Sequence, residues 1–92
     1  MVGFCASSRL AVEYLKKENI KGSIFVAGCP EAVRYYSDFN LTYNFLEAEY
    51  IILETYFAKQ HPESQVLKFI EDKNLIKDIE FHNAIIAKIY KI

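Results

Sequence analysis

The segment SIFVAGCPEAVRYY, residues 23–36, decides the fold class of this 92-residue chain. Its apolar run Ile24–Ala27 is typical of a strand buried on both faces, as in a parallel sheet, rather than of a half-exposed antiparallel strand. Pro30 suits the first position of a helix because its missing N–H would have no partner there, and Glu31 complements the positive end of the helix dipole. The segment therefore predicts a strand, a tight corner and a helix that ends near Asp38.

The corner between this strand and this helix is a candidate ligand site. The first N–H groups of a helix lack internal partners and carry partial positive charge, and α/β proteins often bind phosphates there. The corner lacks, however, the second and third glycines that let a backbone approach a pyrophosphate. We therefore favour a structural bend, and we keep Gly28, Cys29 and Glu31 as candidate ligand-binding residues.

A second candidate site lies in the segment FCASSR at residues 4–9. A cysteine at a helix N-terminus is activated by the dipole, and a nearby arginine can hold an oxyanion. Phosphotyrosine-type phosphatases use a longer spacing than the three residues that separate Cys5 from Arg9. Cys5 and Arg9 are therefore the candidate catalytic residues of one hypothesis, a small thiol-dependent enzyme. In the alternative, Cys5 and Cys29 are free thiols that act as small buried side chains.

Helical spacing of apolar residues predicts a first helix over residues 7–18, which Asn19 would end in the left-handed conformation. Residues 45–59 are ambiguous, since their apolar positions fit both a helix and a short buried strand.

The C-terminal part is predicted to contain a helix from Pro62 to about Lys73, ended by Asn74 in the way that Asn19 ends the first helix. The isoleucine-rich tail favours extended structure, with a strand at 78–82 and a second strand or a helix after Asn83.

Together these elements predict one small α/β domain over residues 1–92, either complete or part of a larger protein. It would have two or three layers, with a short, mainly parallel sheet and about three helices. A chain of this length buries only about 60 to 65% of its unfolded surface, which leaves room for one modest core.

The composition limits the classes of partner. Eleven basic and twelve acidic residues are interspersed and give a formal net charge of −1, which argues against nucleic-acid binding. The apolar stretches are too short to span a membrane, and no secretory signal is visible, so a cytoplasmic location is predicted. His61, His82 and the scattered carboxylates have no metal-ligand spacing, so we predict no metal site and no cofactor in this chain.

Three segments of the chain, at residues 7–15, 24–41 and 48–53, resemble successive pieces of the haloacid dehalogenase superfamily, in its 4-nitrophenylphosphatase and phosphoglycolate phosphatase branch. They read SSRLAVEYL, IFVAGCPEAVRYYSDFNL and AEYIIL. The positions that match its motifs are Ser7, Ser8, Tyr14, Leu15, Gly28 and Pro30.

The resemblance implies a Rossmann-like fold and, in a complete member, a Mg²⁺-dependent phosphatase. Its Asp-x-Asp nucleophile and its Gly-Asp-x-x-x-Asp metal motif have no match here, and Glu54 stands where the family has a glycine. The chain would then correspond to the core-to-cap region, as a non-catalytic module or fragment. The alternatives are an interaction module that binds a protein partner or a second copy through its aromatic and isoleucine-rich surface, and the thiol-dependent enzyme.

Overall fold

A computed structural model of the chain describes residues 6–29 and 40–92. The helix predicted from Pro30 to Asp38 lies outside the described residues. The described helices are α1 (Ala6–Lys17), α2 (Thr55–Gln60) and α3 (Gln65–Phe69), with 3-10 turns at Phe45–Glu47 and Ile70–Asp72. The described strands are β1 (Ser23–Ala27), β2 (Asn40–Leu41), β3 (Tyr50–Glu54), β4 (Asn74–Phe81) and β5 (Ala84–Lys91).

These strands form one mixed sheet in the order β2-β1-β3-β5-β4. β1 pairs in parallel with β2 and β3, whereas β5 is antiparallel to both β3 and β4. The fold is α/β as predicted, but the expectation of a mainly parallel sheet is wrong. The reason lies in the isoleucine-rich tail, whose two strands are joined by a two-residue turn, and such a turn connects only antiparallel strands.

Both faces of the sheet are covered by helical elements, which gives the domain three layers. α1 packs on one face, over a core cluster that includes Leu15, Ile52 and Ile89. On the other face, Val66 of α3 and Ile70 pack against residues of the central strands.

The apolar run of β1 contributes to both of these clusters. Ile24 and Val26 belong to the α1-side cluster, whereas Ala27 belongs to the opposite cluster and Phe25 packs against it. The prediction of a strand buried on both faces is therefore confirmed.

The end of α1 follows the sequence prediction. Asn19 has a φ of 57°, in the left-handed region. The Ile20 N–H donates to the Leu15 carbonyl at 2.9 Å, and the Asn19 N–H donates to the Lys16 carbonyl at 3.1 Å. These two bonds form a Schellman motif, which satisfies carbonyls that the helix end would otherwise leave unpaired.

The ambiguous segment 45–59 contains both helix and strand. It divides into a 3-10 turn, the strand β3 and the short helix α2. The apolar run of β3 is extended because it pairs with β1 on one side and with β5 on the other. Tertiary pairing, which local spacing does not encode, decides the conformation here.

The helix predicted from Pro62 to about Lys73 begins later than predicted and ends as a 3-10 turn at Ile70–Asp72. Pro62 lies in a turn, α3 begins at Gln65 after the N-cap residue Ser64, and regular helix ends at Phe69. Asn74 does not end a helix, because it begins β4 and pairs with Lys91.

The tail forms a hairpin that is longer than predicted. The strand expected at 78–82 is part of the eight-residue β4, and a strand rather than a helix follows Asn83. His82 and Asn83 have φ values of 52° and 65°. Two consecutive left-handed residues are the geometry of a type I′ turn, whose twist matches that of the flanking strands.

Val26→Asp is expected to unfold the domain. The substitution places an unpaired charge in the α1-side cluster, at a cost of several kcal/mol against a total stability of roughly 5 to 10. Leu46→Asp is the control, because the Leu46 side chain is 66% exposed. Circular dichroism during urea denaturation should show no folded baseline for the first variant and an almost unchanged midpoint for the second. A well-folded Val26→Asp protein would contradict the buried position of β1.

Candidate functional site

The carboxyl ends of β1 and β3 lie side by side, because the two strands are parallel and Ala27 is in register with Leu53. Ligands of open α/β sheets commonly bind at this edge. A cleft of about 460 Å³ opens there, which we call the carboxyl-edge cleft. Its lining residues are Gly28, Cys29, Glu54, Tyr56, Phe57, Gln60 and His61.

The carboxylate of Glu54 holds the corner that follows β1. Glu54 is the last residue of β3 and only 8% exposed. The backbone N–H of Cys29 donates to its Oε2 atom. In a phosphate-binding corner such an N–H would face the ligand, whereas here it faces a carboxylate of the same chain. A second anion at this N–H would have to displace Glu54 against charge repulsion, which supports the structural bend.

Gly28 is required by the same contact. Its φ is 144°, which side-chain-bearing residues rarely adopt. A Cβ at this position would collide with the Glu54 carboxylate. The glycine at the corner therefore makes room for the chain's own carboxylate, not for a pyrophosphate.

The sulfur of Cys29 is not free. Cys29 is half-buried and disulfide-bonded, so the expectation of a free thiol is wrong at this position. Cys5 and Glu31 lie outside the described residues, and their proposed roles stay predictions. Structural disulfides persist mainly in oxidising compartments, so the disulfide of Cys29 does not favour a cytoplasmic location. That location stays a prediction.

Arg9 lies on α1 and is absent from the lining of the carboxyl-edge cleft. Its Nε atom lies 3.4 Å from Oε1 of Glu13, one helical turn away, and its side chain is 57% exposed. A surface pair of this kind contributes only about 0.3 to 0.5 kcal/mol. The structure thus gives Arg9 a helix-surface contact, and its role toward Cys5 stays a prediction.

The other wall of the cleft is aromatic. The rings of Phe57 and His61 lie 4.8 Å apart between centroids, and the His61 N–H donates to the Phe57 carbonyl at 2.8 Å. Phe57, His61 and Glu54 are not among the candidate site residues predicted from the sequence. In the sequence, Glu54 is visible only as a carboxylate directly after an apolar run. Its importance becomes clear only when β3 is known to pair with β1, which the sequence does not show.

A second cleft, of about 660 Å³, runs along the outer edge of β4. Its lining consists of Leu10 from α1 and the six consecutive residues Leu75–Glu80, and we call it the β4 groove. Among residues 6–29 and 40–92, no strand pairs with this edge of the sheet.

An acidic group lies in the lining of the β4 groove. The Oδ1 atom of Asp78 is buried and has no hydrogen-bond partner in the described part of the chain. Burial raises the pKa of Tyr90 above its usual value, and the negative charge of Asp78 raises it further. The groove thus combines apolar side chains with a carboxylate that lies opposite Lys88 of β5 and whose Oδ1 atom has no donor among the described residues.

Two further features to consider in the described residues are a metal site and a membrane-spanning helix. No group of three His, Cys, Asp or Glu side chains could hold a metal ion there. No helix of residues 6–29 and 40–92 is long and apolar enough to cross a membrane.

No family model matches the chain, and neither a curated protein nor a solved structure resembles it significantly. The likeness to haloacid dehalogenases therefore stays a prediction.

Gly28→Ala is expected to destabilise the domain by about 1 to 3 kcal/mol, because it adds both backbone strain and the collision with Glu54. Glu54→Ala should also destabilise, since it leaves the Cys29 N–H without its acceptor. The double variant should be more stable than the sum of the two changes predicts, because the new methyl group then meets empty space.

Gly22→Ala combined with Glu49→Ala is the matched control. Gly22 also has a positive φ and faces a glutamate, but Glu49 is exposed and its side chain can move away. This second pair should therefore be nearly additive in urea unfolding free energies. Additivity at Gly28 and Glu54 as well would contradict the contact described here.

Proposed function

We propose that this chain is a non-catalytic α/β module that binds a protein partner along the β4 groove. The observation that carries the proposal is the outer edge of β4, to which no described strand is paired. Such an edge presents backbone N–H and C=O groups that a partner segment can use.

The side chains of the hairpin support the same proposal. Leu75 lines the groove and is 45% exposed, and Phe81 and Ile85 are exposed at the turn end of the hairpin. Apolar and aromatic side chains supply most of the energy at the centre of a protein interface. A partner that covers them would remove apolar surface from water while pairing with β4.

Chemical catalysis has less support. The corner after β1 is filled by the Glu54 carboxylate, and the sequence contains no match to the aspartate motifs on which haloacid dehalogenases depend. Descent from such a phosphatase is compatible with the proposal, since the core-to-cap region of that family governs substrate choice rather than phosphoryl transfer. We therefore propose binding, not phosphoryl transfer, as the function.

The test selects displayed protein fragments, taken from the organism that encodes the chain, for binding to the purified protein. Selected fragments should bind Leu75→Glu at least about tenfold more weakly than the unmodified chain, because the charge blocks the groove. Leu46→Glu is the control, as Leu46 is exposed and lies outside the groove lining. The proposal would be contradicted if the selection yields no binder, or if the selected fragments bind the Leu75→Glu variant as tightly as the unmodified chain.

A further inference from the structure

We infer that the partner of the β4 groove is an extended segment of another protein that carries two basic residues on one face and adds to the sheet beside β4. The inference rests on the proposed function and specifies its partner. It follows from the order of charges along β4, from the state of Asp78, and from the misfit of a second copy.

Charges of opposite sign lie on the two faces of β4. The Lys77 Nζ atom lies 5.5 Å from the centroid of the Tyr14 ring on α1, and Ile79 belongs to the α1-side cluster. Because side chains alternate along a strand, Asp78 and Glu80 lie on the opposite face. The α1-facing cation already has an aromatic partner. On β5, Lys88 lies opposite Asp78 and Ile85 lies opposite Glu80. On the outer side of β4, no described residue lies opposite either carboxylate, so these are the charges that a partner strand would match.

A strand beside β4 would place its side chains directly opposite those of β4, on the same faces. An apolar residue then fits opposite Ile79, and basic residues fit opposite Asp78 and Glu80. The Oδ1 atom of Asp78 explains why a basic residue opposite it would be favourable. It is buried and lacks a donor among residues 6–29 and 40–92, and a buried oxygen in that state is costly until a donor reaches it.

A second copy of the chain does not supply this pattern. Antiparallel pairing of β4 with its copy requires a two-fold axis normal to the sheet, so opposed residues must share a face. A register centred between Lys77 and Glu80 opposes Lys77 to itself, Asp78 to itself, Glu80 to itself, or Asp78 to Glu80. Each of these registers therefore opposes like charges, which destabilises a strand pair. A register centred on Ile76 avoids this, but it falls on the irregularity between Leu75 and Lys77, where regular pairing is interrupted.

The experiment uses a synthetic peptide, acetyl-Thr-Val-Lys-Val-Lys-Val-Thr-amide, and a matched peptide with glutamate in place of both lysines. Calorimetric titration of the full chain at about 0.15 M salt should show that the lysine peptide binds at least about tenfold more tightly than the glutamate peptide. Asp78→Lys combined with Glu80→Lys should reverse that order. Glu80→Lys alone, at an exposed position, should narrow the difference if the double variant fails to fold.

Two further peptides test strand addition itself. Because only alternate N–H groups of an added strand face β4, N-methylation of one alternate set should abolish binding, and methylation of the other set should leave it almost unchanged. Equal effects of the two sets would overturn the inference. So would equal binding of the lysine and glutamate peptides, or an unreversed preference in a folded charge-swapped variant.

Failure here is distinguishable from failure of the proposed function. If displayed fragments bind and respond to Leu75→Glu while the lysine peptide fails these tests, the module binds a partner through the groove but not by basic strand addition. If no fragment binds, the interaction role itself is wrong.

Discussion

The parallel pairing of β1 with β3 is the constraint on which the rest of the structure depends. These two strands lie at the centre of the sheet, and their apolar side chains supply both core clusters, with Ile24 and Ile52 on the α1 side and Ile51 and Leu53 on the other. A chain of 92 residues buries a smaller fraction of its surface than a larger domain does, so its stability depends on covering both faces of this strand pair. α1 covers one face, and the short helical elements cover the other.

The same pairing explains the corner after β1. Two adjacent parallel strands end at the same edge, so the last residue of β3 meets the first residues after β1. Glu54 occupies that position and accepts the Cys29 N–H, and Gly28 leaves space for its carboxylate. The feature that looks like a ligand corner in the sequence contains an internal contact, and the edge of β4, to which no described strand pairs, is the surface that we propose for a partner.

Local chemistry was sufficient to predict α1, its Asn19 terminus and the buried strand β1, because a helix end and an uninterrupted apolar run are encoded by neighbouring residues. It was insufficient wherever a distant strand decides the conformation. Asn74 has the composition of a helix end, yet pairing with Lys91 makes it the start of β4. The role of Glu54 was hidden for the same reason, since its partner Cys29 lies 25 positions earlier in the chain.

Amide hydrogen exchange of the free chain, followed by NMR, tests this account most directly. We expect slow exchange in the inner strands β1, β3 and β5, each of which has a paired strand on both sides, and an alternating pattern in β4, whose inward amides pair with β5 while its outward amides meet water. Uniformly slow exchange along β4 would show that this edge is already covered, and fast exchange in β1 would show that the parallel pair is not the centre of the fold. Either result would contradict the account.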